Sequence, residues 1–263
     1  MKLKDKQVII TGAGGGIGSR IAVAFAEKGA NLALVDRNEE ALSPVLEKTR
    51  ALGVKAVGIS ADITTKQGRD LIIKTTEAEL GPIDILVNNA GIMIFKSIEQ
   101  HTEEEVMKTL TVNVFGAISL TQAVLAGMRS RGSGRIVNIG SIFGSLAFPY
   151  FGIYSASKAA IKSFSEGLRR ELHGTGVGVT YIAPRATRTS QTSEFFEMAK
   201  KMKMNLDDPK KVAAIVVKSV ENEANEVFIG FPEKLFVLIN KFKPSLVDGG
   251  LLKQAKIMSE YTS

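Results

Sequence analysis

The sequence predicts an α/β fold: a doubly wound parallel sheet of about seven strands with helices on both faces. Three observations carry this. Short apolar runs alternate with longer stretches whose apolar residues recur at helical spacing. The strand-like runs are apolar throughout, as expected of strands buried on both sides. The helical stretches are long enough to make right-handed crossovers between parallel strands.

The elements follow in order. Gln7–Thr11 is a first strand running into a glycine cluster. Residues 17–28 form a helix stopped by Gly29. Residues 31–35 are a second strand, 39–52 a helix closed by Gly53, and 55–60 a third strand. Residues 65–80 form a helix that Gly81-Pro82 ends, and 83–87 a fourth strand. Thr102 caps a long helix to about residue 129, with Glu105 placed for a capping box. Residues 135–139 are a fifth strand, 154–173 a helix, Val177–Ala183 a sixth strand and 227–230 a short seventh. No repeat, low-complexity segment or linker interrupts the pattern. Residues 1–263 are therefore expected to form one domain, with ligands at the carboxyl ends of the strands.

Composition narrows the function classes. The 263 residues include no cysteine and 2 histidines. That excludes a disulfide framework, thiol catalysis and cysteine zinc sites. His101 and His173 lie far apart, so no metal is expected. The absence of cysteine fits a reducing, cytoplasmic compartment. Lys and Arg number 34 against 27 Asp and Glu, a net charge of +7. These charges are scattered instead of clustered on one element, which argues against nucleic acid. The first apolar run is short and reads as a strand, not a signal peptide. No apolar run reaches the ~18 residues of a spanning helix, so none is expected.

Thr11-Gly12-Ala13-Gly14-Gly15-Gly16-Ile17-Gly18 joins the first strand to the first helix. Glycines let the backbone turn sharply and let a pyrophosphate approach the helix N-terminus. No Gly-Lys-Ser/Thr ending follows, which disfavours a P-loop. Asp36 closes the next strand, where a carboxylate would accept bonds from ribose hydroxyls and repel a 2′-phosphate. Arg37 beside it partly offsets that repulsion. NAD is the expected cofactor and NADP the alternative. A tight turn and a solvated charge pair are the bland alternatives.

Tyr154 and Lys158 stand one helical turn apart and share a face. A phenol is a poor base at neutral pH, but a nearby ammonium and an oxidised nicotinamide favour the phenolate. Tyr154 is thus a candidate general acid/base. Ser141 follows the fifth strand, where its hydroxyl would meet a substrate oxygen. Asn113 sits in a mostly apolar stretch, and a buried amide must find partners. Asn88-Asn89-Ala90-Gly91 ends the fourth strand. Each feature alone has a structural alternative: a surface pair, a loop serine, a tie between backbones.

Together, Thr11-Gly12, Gly16, Gly18, Asp62, Asn88-Asn89-Ala90-Gly91, Asn113, Ser141, Tyr154 and Lys158 resemble the pattern of short-chain dehydrogenases/reductases of ~250 residues. The resemblance covers roughly residues 3–230. It implies a one-domain Rossmann fold and hydride transfer between nicotinamide and an alcohol or carbonyl substrate. It implies Tyr154 as proton donor and acceptor. Lys158 would bind the nicotinamide ribose and lower the Tyr154 pKa. Ser141 would orient substrate, and Asn113 would hold a water in a proton relay. Cofactor binding would extend over Gly12, Gly14, Gly16, Ile17, Gly18, Asp36, Arg37, Asp62, Ile63, Asn89, Ala90, Gly91, Pro184, Thr187 and Thr189. Of these, Asp62 would meet the adenine and Thr189 the carboxamide.

The sequence departs from the family in three places. Arg185 replaces the glycine that usually follows Pro184; it is expected to face solvent, with an anionic substrate group as the alternative. Residues 185–206, chiefly 190–206, would form a substrate lid. Phe195, Phe196, Met198, Met202 and Met204 there suit an apolar substrate, or pack a helix on the core. A C-terminal extension, residues 231–263, carries Leu235 to Ile239 flanked by Lys234, Lys241 and Lys243, read as one short amphipathic basic helix. It would dock on its own domain, join a homodimer or homotetramer, or lie on an anionic membrane surface. The functional expectation is an NAD-dependent oxidoreductase acting on an apolar secondary alcohol or ketone. The alternative is a catalytically silent dinucleotide-sensing protein, which would have no need of the Ser141, Tyr154, Lys158 and Asn113 set. A nucleotide-sugar epimerase or dehydratase would need a longer substrate domain.

Overall fold

The computed structural model describes residues 1–189, 193–202 and 204–262, and the side chains of all of these except 193–196. Strands β1 (Gln7–Thr11), β2 (Asn31–Asp36), β3 (Ala56–Ser60), β4 (Ile85–Asn88), β5 (Gly134–Ile139), β6 (Val177–Ala183) and β7 (Glu226–Phe228) form one sheet. Its order is β3-β2-β1-β4-β5-β6-β7, with every neighbouring pair parallel. The helices are α1 (Gly16–Ala26), α2 (Glu39–Arg50), α3 (Lys66–Glu79), α4 (Glu103–Leu110), α5 (Ala117–Ser130), α6 (Gly152–Glu171), α7 (Ser193–Lys201), α8 (Pro209–Glu221), α9 (Phe231–Phe242) and α10 (Pro244–Met258).

Successive strand side chains point to opposite faces, and here both faces are apolar. Val8 and Ile10 of β1, Leu32 and Leu34 of β2, and Val137 of β5 pack with Phe25, Leu42 and Val216 of α1, α2 and α8. Ile9, Ala33 and Ile136 turn the other way, onto Ile72, Leu120 and Leu168 of α3, α5 and α6. That is why the strands show no polar alternation. The strand order reverses between β1 and β4, so the loops leaving these strands diverge and open a crevice.

Local chemistry sets the helix starts. The Asn38 side chain accepts from Glu40 N, and Thr65 from Gly68 N. The Thr102–Glu105 capping box forms in both directions. Asp208 caps α8, whose first residue is Pro209.

Three expectations are corrected. The long helix after β4 is not uniform: α4 and α5 are joined by a π-helical turn, Thr111–Gly116. The turn carries Asn113 inward to the Ile92 backbone, and widening the helix lets it do so. The run Glu103–Ser130 is, contrary to expectation, long and apolar enough by length and composition to cross a membrane. Its Leu120, Val124 and Met128 row is buried under the sheet, however, which is the packing of a core helix. The expected short basic helix forms as α9, and a second helix, α10, which was not expected, packs against it. Pro244 at the first position of α10 starts the second.

Candidate active site

The glycine loop is held by its neighbours across the crevice. Thr11 Oγ1 donates to the Val87 carbonyl at 3.3 Å and accepts from the amides of Asn89 and Ala90, each at 3.0 Å. Asn89 Nδ2 donates back to the carbonyls of Thr11 and Gly12, at 2.9 and 3.2 Å. Gly12 takes a left-handed φ of +65°. A Cβ on Gly18 would stand 2.0 Å from the Gly12 carbonyl oxygen, so only glycine allows the helix to start this close to the strand. Gly15 precedes α1 with no side-chain cap, which leaves first-turn amides to face an anion. These features fit a dinucleotide pyrophosphate.

Asp36 ends β2 beside this loop. Its Oδ2 accepts from Gly14 N at 3.0 Å and its Oδ1 from Asn38 N at 3.1 Å. The carboxylate is thereby fixed at the cavity wall with lone pairs to spare. Asp62 follows β3 and accepts from Thr64 N and Oγ1 at 2.8 and 2.7 Å. Burial acts to raise its pKa, but the Thr64 bonds and the Arg37 charge leave it below the usual carboxylate range. Ile63 packs against Gly116, where a Cβ would come within 2.8 Å.

The cavity, about 530 Å³, runs from Asp36 along the carboxyl edge of the sheet to Ser141, Tyr154 and Lys158. Tyr154 lies in the first turn of α6 and lines the cavity together with Ser141, which follows β5. Burial pushes the Tyr154 hydroxyl up, and the neighbouring Ser141 side chain only partly offsets this. Lys158 is buried and donates to the Ile139 carbonyl at 3.0 Å. Its Nζ stands 5.7 Å from the Tyr154 ring centroid. Burial lowers its pKa to about 8. Asn113 Oδ1 accepts from Ile92 N at 2.8 Å, and its Nδ2 donates to Ile92 O and Ser157 Oγ, each at 2.9 Å. Gly91 passes between them: a Cβ there would lie 3.2 Å from Asn113 Oδ1 and 3.5 Å from Lys158 Nζ.

The pattern of residues matches a known family model, short chain dehydrogenase, over residues 6–200. The chain belongs to the short-chain dehydrogenase family. It is 33% identical over 253 residues to the ketoacyl reductase HetN of Nostoc sp., covering 94% of this chain and 88% of that one. An uncharacterized oxidoreductase of Thermotoga maritima is 38% identical over 189 residues, 72% of this chain and 74% of that one. Among solved structures, NAD+-bound xylitol dehydrogenase superposes with a TM-score of 0.80 at 26% identity, over 87% of this chain and 99% of that one. A short chain dehydrogenase/reductase from Burkholderia phymatum, solved in complex with NAD, gives 0.86 at 23%, over 94% and 96%.

The expected site residues of this short-chain dehydrogenase come together. Gly12, Gly16, Ile17, Asp36, Arg37, Asp62, Ile63, Asn89 to Gly91, Ser141, Tyr154, Lys158, Pro184, Thr187 and Thr189 line one cavity. Gly14, Gly18 and Asn113 stand behind that lining, holding Asp36, Gly12 and Ile92. Arg185 is a correction: it does not face solvent. Its Nε and Nη2 bond Asp207 at 2.9 and 2.8 Å, and its Nη1 bonds Glu233 at 3.0 Å. Two carboxylates supply what water would have supplied, so the guanidinium is mostly enclosed. In the segment expected as a lid, Met198 and Met202 pack with Val237, Val247 and Met258. Phe195 and Phe196 lie outside the described side chains.

Two supporting residues of this short-chain dehydrogenase escaped the sequence reading. The Tyr181 hydroxyl donates to the Ser141 carbonyl at 3.3 Å, and its ring fills the space a Cβ of Gly140 would need. Ser157 Oγ donates to the Tyr154 carbonyl at 2.7 Å while accepting from Asn113. A tyrosine inside the apolar sixth strand was the available signal for the first. A serine one residue before Lys158 gave none.

Proposed function

We propose that this chain is an NAD-dependent oxidoreductase that interconverts an apolar secondary alcohol and its ketone. The observation that carries the reading is the Ser141–Tyr154–Lys158 set at the end of the cavity that Asp36 borders. Bound nicotinamide supplies or accepts the hydride. Ser141 and Tyr154 present two adjacent hydroxyls to one substrate oxygen. Burial keeps the Tyr154 phenol protonated, the state that donates to a carbonyl oxygen in reduction. Lys158, charged below about pH 8, lies close enough to stabilise the phenolate left behind. In oxidation the same phenolate accepts the alcohol proton. Asp36 takes the adenosine ribose hydroxyls and opposes a 2′-phosphate. Met93, Phe143 and the Tyr154 ring give the substrate end an apolar wall.

The test is turnover on a panel of alcohols and ketones, read by nicotinamide absorbance, with Tyr154→Phe as control. Rates should fall by about 10² to 10⁴ in the variant, with NADH binding by fluorescence unchanged. Equal rates in the variant defeat the assignment. Tight NADH binding with no turnover on any panel favours a sensing protein instead.

A further inference from the structure

The C-terminal helices carry an amphipathic surface that the cavity does not use. On α9, Phe231, Leu235, Leu238 and Phe242 recur at helical spacing and form one stripe. All four are exposed, Phe231 and Phe242 at 82% and 83%. The opposite side of α9 is anchored inward. Val237 is buried, Glu233 is held by Arg185, and Asn240 donates to the Ser145 carbonyl at 3.4 Å. The helix therefore cannot roll to hide the stripe. Lys234 and Lys241 border it, and Lys243 follows its end, all exposed. On α10, Leu246, Leu252, Lys253 and Lys256 are exposed as well.

Charge decides what covers such a face. Residues 231–262 hold five lysines and three carboxylates. Glu233 is committed to Arg185 and Glu260 to Lys201, which leaves Asp248. A second copy laid on the stripe would bring the same lysines and little negative charge to meet them. An anionic lipid headgroup layer meets them all, and accepts Phe and Leu at its acyl boundary. We propose that α9 and α10 dock this chain on an anionic membrane surface, with the Phe231–Phe242 stripe inserted and the lysines at the headgroups. The inner side of α9 packs in the apolar cluster that includes Tyr154. A membrane-dissolved substrate would then have a short path to the cavity, a corollary that rests on the oxidoreductase reading.

Vesicle sedimentation tests the docking without needing turnover, so its result is independent of the substrate. Wild-type chain should pellet with phosphatidylcholine vesicles containing about a quarter phosphatidylserine, and not with phosphatidylcholine alone. Salt at about 1 M, with a Debye length near 3 Å, should release most of it. Leu238→Asp/Phe242→Asp should lower partitioning at least about tenfold while keeping the wild-type melting curve. Lys234→Glu/Lys241→Glu should do the same from the electrostatic side. Wild-type chain that stays in the supernatant overturns the proposal, as does a double variant that pellets normally. A wild-type dimer in analytical ultracentrifugation that Leu238→Asp/Phe242→Asp dissolves, with no vesicle binding, assigns the stripe to a second copy and also overturns it.

Discussion

Lys158 shows how burial at one residue becomes a property of the chain. Among the described residues its ammonium donates one hydrogen bond, to the Ile139 carbonyl, and the side chain is buried. Desolvation brings its pKa from 10.5 to about 8. Below about pH 8 both folded and unfolded chains hold this proton, and the group imposes a constant penalty. Between 8 and 10.5 the unfolded chain binds more protons, so stability rises with pH. Lys158→Met removes this titration. From about pH 8 to about pH 9.5 the wild type should gain about 2 kcal/mol relative to Lys158→Met. Denaturant melts at several pH values check this, and parallel curves would mean Lys158 is better solvated than its surroundings imply. Tyr154, Lys158, Ser141 and Asn113 stand out in the sequence only as a set, since each alone has a structural alternative, and the structure brings the first three to one cavity. Tyr181 does not stand out: its contact with Ser141 joins two strands, and no spacing encodes it.

Whole elements were legible where one period dominates. The central strands β1, β2, β4, β5 and β6 are apolar on both faces, so their existence was plain. The π turn was not, because one widened turn shifts the helical phase by less than a short apolar run can reveal. Nor was α10, whose Gly249-Gly250 pair dilutes its pattern. Arg185 is the least legible residue, because the carboxylates that enclose it lie far along the chain. Asp207 begins the return from α7, and Glu233 stands in the first turn of α9. One guanidinium thus ties three segments beside the cavity. Arg185→Ala would strand Asp207, which is 5% exposed, without a cation. The cost should be about 2 kcal/mol, since a buried carboxylate left unpaired is expensive. NADH affinity should fall too, because Thr187 and Thr189 sit on the loop that Arg185 anchors. Arg185→Lys should recover only part, lacking the planar fork that grips Asp207. Thermal melts with NADH titration check both effects. A variant indistinguishable from wild type would reduce the triad to a passive contact.

At the scale of the molecule, the cavity collects the ends of β1, β2, β3, β4, β5 and β6. A dinucleotide lying along it would touch loops from nearly the whole sheet. Its binding energy should therefore stabilise the chain as one unit, not a local flap. Any ligand that binds only the folded state stabilises it by RT ln(1 + [L]/Kd). NADH at about 100 times its Kd should add about 2.7 kcal/mol, or roughly 5 to 10 °C in Tm, in a single sharpened transition. NADPH at equal concentration should shift Tm less, because the Asp36 carboxylate, fixed by Gly14 and Asn38 at the cavity wall, would repel a 2′-phosphate bound beside it. Asp36→Ala should narrow that difference, and Arg37 would then favour the phosphate. Differential scanning calorimetry of both proteins with both ligands resolves it. If NADPH protects the wild type better, Arg37 governs the ribose. If neither dinucleotide moves Tm, the glycine loop holds something else.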